Sequence, residues 1–294
     1  MLTLAACFSA GRFIHVASVM QLFGIALFSE YLAPPGLRQR LRSAFTRTVR
    51  RLGWLCLLTA AVILALQSGQ MGQGWPDTLR PSVWLAVIHT DFGTVWIWHL
   101  SITLATVLII GRSDLSPWRQ RLLLVAASAL LVTLALTGHS AMSQGLRGVL
   151  QRINQVIHLF SAAWWLGSLI PLIWCLPLLR QAARADAMRA LIHFSQSAHG
   201  AVALVILTGI INSCLIVGQW PLDFSSLYQR MLMIKITVVV IMVLLAVTNR
   251  YRVVPMMTRH HPQAIRYLTM LTLAELVLGN VVLILVSIFA TLEP

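Results

Sequence analysis

Nine histidines occur in this chain, and six lie in or beside long apolar runs, where an ionisable side chain is costly to keep without a purpose. Five of the six fall towards one end of those runs. His15 sits in the opening turns of the first run, His89 just ahead of the third, and His99 within the third. His139 closes the fourth, and His158 comes one turn after Asn154 in the fifth. Asn154, His158 and Trp165 stand four and then seven residues apart, which sets them on one helical face. Imidazole nitrogens converging from four helices suit copper, zinc, iron or nickel. Met71, after the second run, and Met142, close behind His139, add thioether sulfur, a ligand that selects Cu(I). A lone histidine near an interface more often only hydrogen-bonds a neighbouring helix. Five at one level move the balance towards a metal or a haem.

A second, sparser group lies towards the other end. His199 is about one turn into the sixth run, Glu275 is about 10 Å into the eighth, and Glu30 is near the far end of the first. An imidazole and two carboxylates at similar depth suit an exit site or a proton relay. For Glu30 the simpler expectation is an ion pair with the arginines that follow it. Lys235 is expected to reach an interface with its ammonium group. Cys7, Cys56, Cys175 and Cys214 lie in apolar stretches with no CxxC spacing, and read as small buried hydrophobes. Neither a Walker A loop nor an HExxH helix occurs, which argues against ATP-driven pumping and zinc hydrolysis by this chain alone.

The elements that must hold these groups are membrane helices. Apolar residues make up 58% of the 294 positions and charged residues 10%, against about 25% charged in a soluble domain. Runs of about 20 apolar residues are long enough to cross the hydrocarbon core. Eight are expected, over 10–32, 52–69, 90–110, 121–138, 154–177, 195–217, 231–249 and 268–290. They form one transmembrane domain over 1–294, an all-α polytopic bundle of eight transmembrane helices. The N-terminus lacks the basic segment and small-residue cleavage site of a secretory signal, so its first run is expected to stay as a helix.

Sixteen arginines fall in alternate connections, among them Arg38 to Arg51, Arg119, Arg180 and Arg266, and five fall on the other side. The positive-inside rule makes the side with sixteen cytoplasmic, and both termini periplasmic. It also accounts for the net charge of +14 without nucleic acid, because a nucleic-acid binder gathers its basic residues on one soluble face.

Several short motifs, in order along the whole chain, resemble the CopD copper-resistance family. They are Arg12-Phe13-Ile14-His15, Gly69-Gln70-Met71-Gly72 with Gly74-Trp75, Gly138-His139, Asn154 with His158 and Trp165-Leu166-Gly167, His199-Gly200, and Asn249-Arg250-Tyr251. The resemblance is to short members without a fused soluble copper-binding domain. It implies an inner-membrane protein of bacterial copper homeostasis that takes copper from a periplasmic CopC-type carrier and moves it inward. It also implies His15, His139 and His158 as outer ligands and His199 as a family position at the other depth. His89 and His99 match no motif. Two other readings remain: a b-type haem or quinone oxidoreductase, with a haem between His99 and His158, and a membrane scaffold or sensor that binds copper without moving it.

Overall fold

Within a bilayer the backbone has no water to bond, so an apolar run must satisfy its own N–H and C=O groups, and it does so as a helix. In this protein, seen here as a computed structural model, the described residues are 3–111, 116–137, 145–217, 226–258 and 263–289. Helix α1 covers Leu4–Leu27 and continues as a π turn over Phe28–Leu32. It is followed by α2 (Pro35–Met71), α3 (Pro81–Ile88), α4 (Asp91–Ile110), α5 (Pro117–Ala135), α6 (Gly145–Gly167) and α7 (Leu169–Cys175). Then come α8 (Arg184–Val217), α9 (Leu227–Thr248), a π turn over Asn249–Val253, α10 (Val254–Thr258) and α11 (Ala264–Phe289). Start signals agree with these bounds. Pro35 and Pro117 stand in the first turns of α2 and α5, where a missing N–H costs nothing. The hydroxyl oxygens of Thr3 and Thr90 accept from Ala6 N and Gly93 N to cap α1 and α4.

Among the described residues, eight helical segments are long and apolar enough to cross a membrane, the number expected from hydropathy. Their lengths differ from expectation in an instructive way. Helix α2 begins at Pro35, seventeen residues before the expected start, so the arginines from Arg38 to Arg51 are helical rather than looped. Arginine is a good helix former, and 37 residues rise about 55 Å, well beyond a core of about 30 Å. Hydropathy marks the embedded part of a helix, not its end. The fifth crossing is divided at Ser168 into α6 and α7, with Pro171 just beyond the break.

Helix α1 is the centre of the bundle and packs against α2, α5, α6 and α11. Of its most apolar stretch 72% is buried, against 11% for the crossing that contains α9, so α9 stands at the rim and α1 in the core. The central contact is with α6. A Cβ on Gly24 would lie 2.0 Å from Gly167 C, and one on Gly167 would lie 2.2 Å from Met20 O. The two backbones touch, as small residues allow in membrane helix packing.

At the arginine-rich end, the π turn carries Glu30 into the protein, where it is 5% exposed. Arg121 Nε of α5 donates to Glu30 Oε1 at 2.9 Å, and Arg42 Nη1 of α2 lies 3.9 Å from Oε2. The pair with Arg42 is buried on both sides, so Glu30→Leu leaves a buried guanidinium without its counter-charge. We expect a loss of stability on the order of 3 kcal/mol, read as earlier thermal unfolding in detergent. Unchanged unfolding in that variant would show the ion pair to be dispensable.

Candidate metal centre

Apolar helices that cross a bilayer hold polar side chains only where neighbouring helices satisfy them. One such group joins four helices. His15 of α1 and His99 of α4 are both fully buried (0% exposed), and their Nε2 atoms lie 2.7 Å apart. Behind each ring stands a threonine. His15 Nδ1 is 2.8 Å from Thr59 Oγ1 of α2, and His99 Nδ1 is 2.7 Å from Thr133 Oγ1 of α5. The Trp96 indole stacks on His99 with centroids 4.7 Å apart, and Phe92 stacks on Trp96 at 5.0 Å.

The threonines set the tautomers. Thr59 Oγ1 donates its proton to Leu55 O (2.6 Å) or Cys56 O (3.2 Å), and Thr133 Oγ1 donates to Leu130 O (2.9 Å) or Ala129 O (3.1 Å). With its proton committed to the backbone, each hydroxyl oxygen accepts from the imidazole, so Nδ1 carries the ring proton. Both Nε2 atoms then present lone pairs, and they present them to each other. At 2.7 Å two lone pairs repel unless a proton lies between them. Donation of the second ring nitrogen to a fixed acceptor is how metal-binding imidazoles are oriented.

The residues fit a metal ion of low coordination. Two imidazole bonds of about 2 Å in line need Nε2 atoms about 4 Å apart, so the rings must part by roughly 1.3 Å to admit one. Among the described residues, no group of three or more His, Cys, Asp or Glu converges to hold a metal. Both imidazoles, with Nδ1 protonated and Nε2 bare, are neutral and fully buried. Because the cost of burying an ion rises with the square of its charge, the pair suits a monovalent ion better than a divalent one.

His158 repeats the pattern on α6. Its Nδ1 lies 2.9 Å from Thr208 Oγ1 of α8, and that hydroxyl donates to Leu204 O, leaving Nε2 without a hydrogen-bond partner among the described residues. Asn154, one turn earlier, donates to Thr208 O (3.0 Å) and Asn212 Oδ1 (2.8 Å). The odd-numbered crossings run in the same direction, and Gly24 of the first touches Gly167 of the third odd one. His15 and His158 each precede that contact by nine residues, about 13.5 Å of rise, so they lie at one depth. The rings turn to different neighbours, however. His99 faces His15, not His158, so these two do not frame a haem.

The other expected groups are dispersed. His89 ends α3 exposed, its Nδ1 bonded to Leu85 O of its own helix. Met71 is 51% exposed at the end of α2. His139 and Met142 lie outside the described residues. At the other end, Glu30 is held by Arg42 and Arg121, while His199 and Glu275 line one cavity. His199 is exposed beside Tyr251, with 3.4 Å between its Nε2 and the phenol oxygen. Glu275 is buried, accepting from Asn249 Nδ2 (2.7 Å) and Trp165 Nε1 (3.2 Å). Sequence reasoning missed Thr59, Thr133 and Thr208. The available signal was a hydroxyl in each apolar run at the depth of the histidines.

Eight apolar crossings around a buried pair of imidazoles define a polytopic membrane protein. Comparison with known proteins gives the family. Residues 1–149 match the copper resistance protein D-like N-terminal domain, and residues 188–289 match copper resistance protein D. The chain belongs to the copper resistance protein D family. It is 36% identical over 292 residues to inner membrane protein YebZ of Escherichia coli (strain K12), with 99% of each chain covered. Copper resistance protein D of Pseudomonas syringae pv. tomato is 28% identical, with 97% of this chain and 96% of the relative covered. Copper transport protein CutJ of Bacillus subtilis (strain 168) is 26% identical over 71% of this chain and 39% of its own length. No solved structure matches.

Proposed function

We propose that this protein binds copper as Cu(I) between His15 and His99 and moves it through the bacterial inner membrane from the periplasm towards the cytoplasm. The observation that carries the reading is the pair of Nε2 lone pairs aimed at each other across 2.7 Å, each ring fixed by a threonine. Imidazole is a copper ligand, and a closed-shell monovalent ion accepts two ligands in line. Family membership and the copper transport named for one relative favour copper over other metals and a carrier over an enzyme. The arginine asymmetry supports a periplasmic position for the histidine end and for both termini. On this reading a periplasmic CopC-type carrier supplies the ion. His158, at the same depth with the same bare Nε2, is the next imidazole on the way in, and His139 belongs to the same outer layer by sequence.

The test is copper loading and uptake by the full chain. Under reducing conditions, with a competing chelator, the purified protein in nanodiscs should hold one Cu(I) per chain. Its X-ray absorption should show two nitrogen neighbours, and proteoliposomes should accumulate copper. A protein that takes up neither copper at the site nor copper into vesicles sinks the proposal. Retained binding without uptake would reassign it to a copper-binding scaffold or sensor.

A further inference from the structure

A cavity of about 230 Å³ lies at the other end of the bundle, between α7, α8, α9 and α11. Its walls are mostly apolar: Leu169, Val202, Ile206, Val243, Val247 and Leu268 are representative. Among the described residues, helices α8 and α9 make little contact with each other, and two wall residues on them face outward, Ile206 (40% exposed) and Val247 (46%). The cavity therefore opens sideways between α8 and α9, towards lipid rather than water.

Its apex, at Glu275 and Asn249, is polar and presents acceptors, while Ser195, His199 and Arg250 also line the cavity. Glu275 is 3% exposed and presents a carboxylate, while Asn249, 9% exposed, lines the same cavity. The Trp165 indole N–H is committed to Glu275, and the Thr272 hydroxyl donates to Leu268 O. Asn249 donates through Nδ2 to Glu275, so its Oδ1 is left over, a buried acceptor without a partner. Buried acceptors of this kind are rare unless something completes them. The π turn that opens at Asn249 widens the helix there, a distortion frequent at functional sites. A hard cation is a poor occupant, since it takes about six to eight oxygens and the only side-chain oxygens in the lining are those of Glu275, Asn249, Ser195 and Thr272.

The occupant that fits is uncharged, donates hydrogen bonds from one end, and is otherwise apolar. We propose that this cavity binds the head group of a membrane hydroquinone, its hydroxyls donating to Asn249 Oδ1 and the Glu275 carboxylate, its tail leaving between α8 and α9. The oxidised quinone has carbonyls in place of those hydroxyls and would set acceptor against acceptor. At the apex the reduced form is therefore the better partner.

Calorimetric titration of the full chain in nanodiscs with decylubiquinol, decylubiquinone and decyl alcohol tests this. Decylubiquinol should bind at least tenfold more tightly than either of the others. Asn249→Leu and Glu275→Gln should each weaken it tenfold or more, and Val247→Trp should close the entrance. Val247 lies on the exposed rim, so that variant carries the test if the apex variants fail to fold. Cu(I) affinity at His15 and His99 should be unchanged in Val247→Trp, which separates failure here from failure of the copper reading. Equal binding of the three probes would reveal a lipid slot only and overturn the proposal, as would quinol binding that ignores the substitutions.

Discussion

Cu(I) affinity falls at least 100-fold in His99→Ala, and His15→Ala and the double variant fall equally far. The expectation follows from a site with two ligands: removing either leaves one imidazole, which cannot hold the ion in line, so the losses are not additive. Thr59→Val keeps the shape of the threonine but removes the acceptor for His15 Nδ1–H, and losses of this type run about 10- to 100-fold. His89→Ala should change nothing, because that ring is exposed and bonded to its own helix. Competition with a chromogenic Cu(I) chelator measures all five. Wild-type affinity in His99→Ala, or a loss in His89→Ala as large as in His15→Ala, would place the metal elsewhere.

The second large effect is structural. Gly167→Leu should abolish monodisperse protein in detergent. Overpacking a core normally costs about 1–3 kcal/mol because side chains can yield, but here the new Cβ meets the Met20 carbonyl oxygen at 2.2 Å and the Gly24 Cα at 3.0 Å. Backbone cannot yield without moving α1, the helix on which the bundle is assembled. Gly200→Ala is the control, since nothing lies within 4 Å of a Cβ at that position. Size-exclusion profiles decide it, and a sharp monomer peak for Gly167→Leu with normal copper binding would refute the close-contact argument.

Apolar run length announced the eight crossings, because the bilayer imposes one requirement on every segment it contains. The common depth of His15, His99 and His158 was equally legible, since depth follows from position along a helix. Partnership was not. Periodicity tells which face of α1 carries His15, but not that α4 rather than α6 lies opposite, and so His99, which matches no motif, emerged as the partner. The division of Glu30 from Glu275 was hidden for the same reason. Their depths are similar, yet one is turned by a π turn into the arginines of α2 and α5, the other towards Asn249 and Trp165. Hydropathy also truncated α2 and α8, whose charged ends continue as helix beyond the apolar stretch.

The threonines behind the histidine pair bear on a danger every intramembrane polar chain carries, short-circuiting the proton gradient. A proton wire needs each member to receive on one side and release on the other. Here the Thr59 and Thr133 hydroxyl protons are directed to backbone carbonyls, and both Nδ1 protons point outward from the pair. A proton reaching the space between the Nε2 atoms finds no relay on the far side of either ring. The chain Thr59–His15–His99–Thr133 is thus insulated at both ends, able to hold a cation at its midpoint while conducting none along its length.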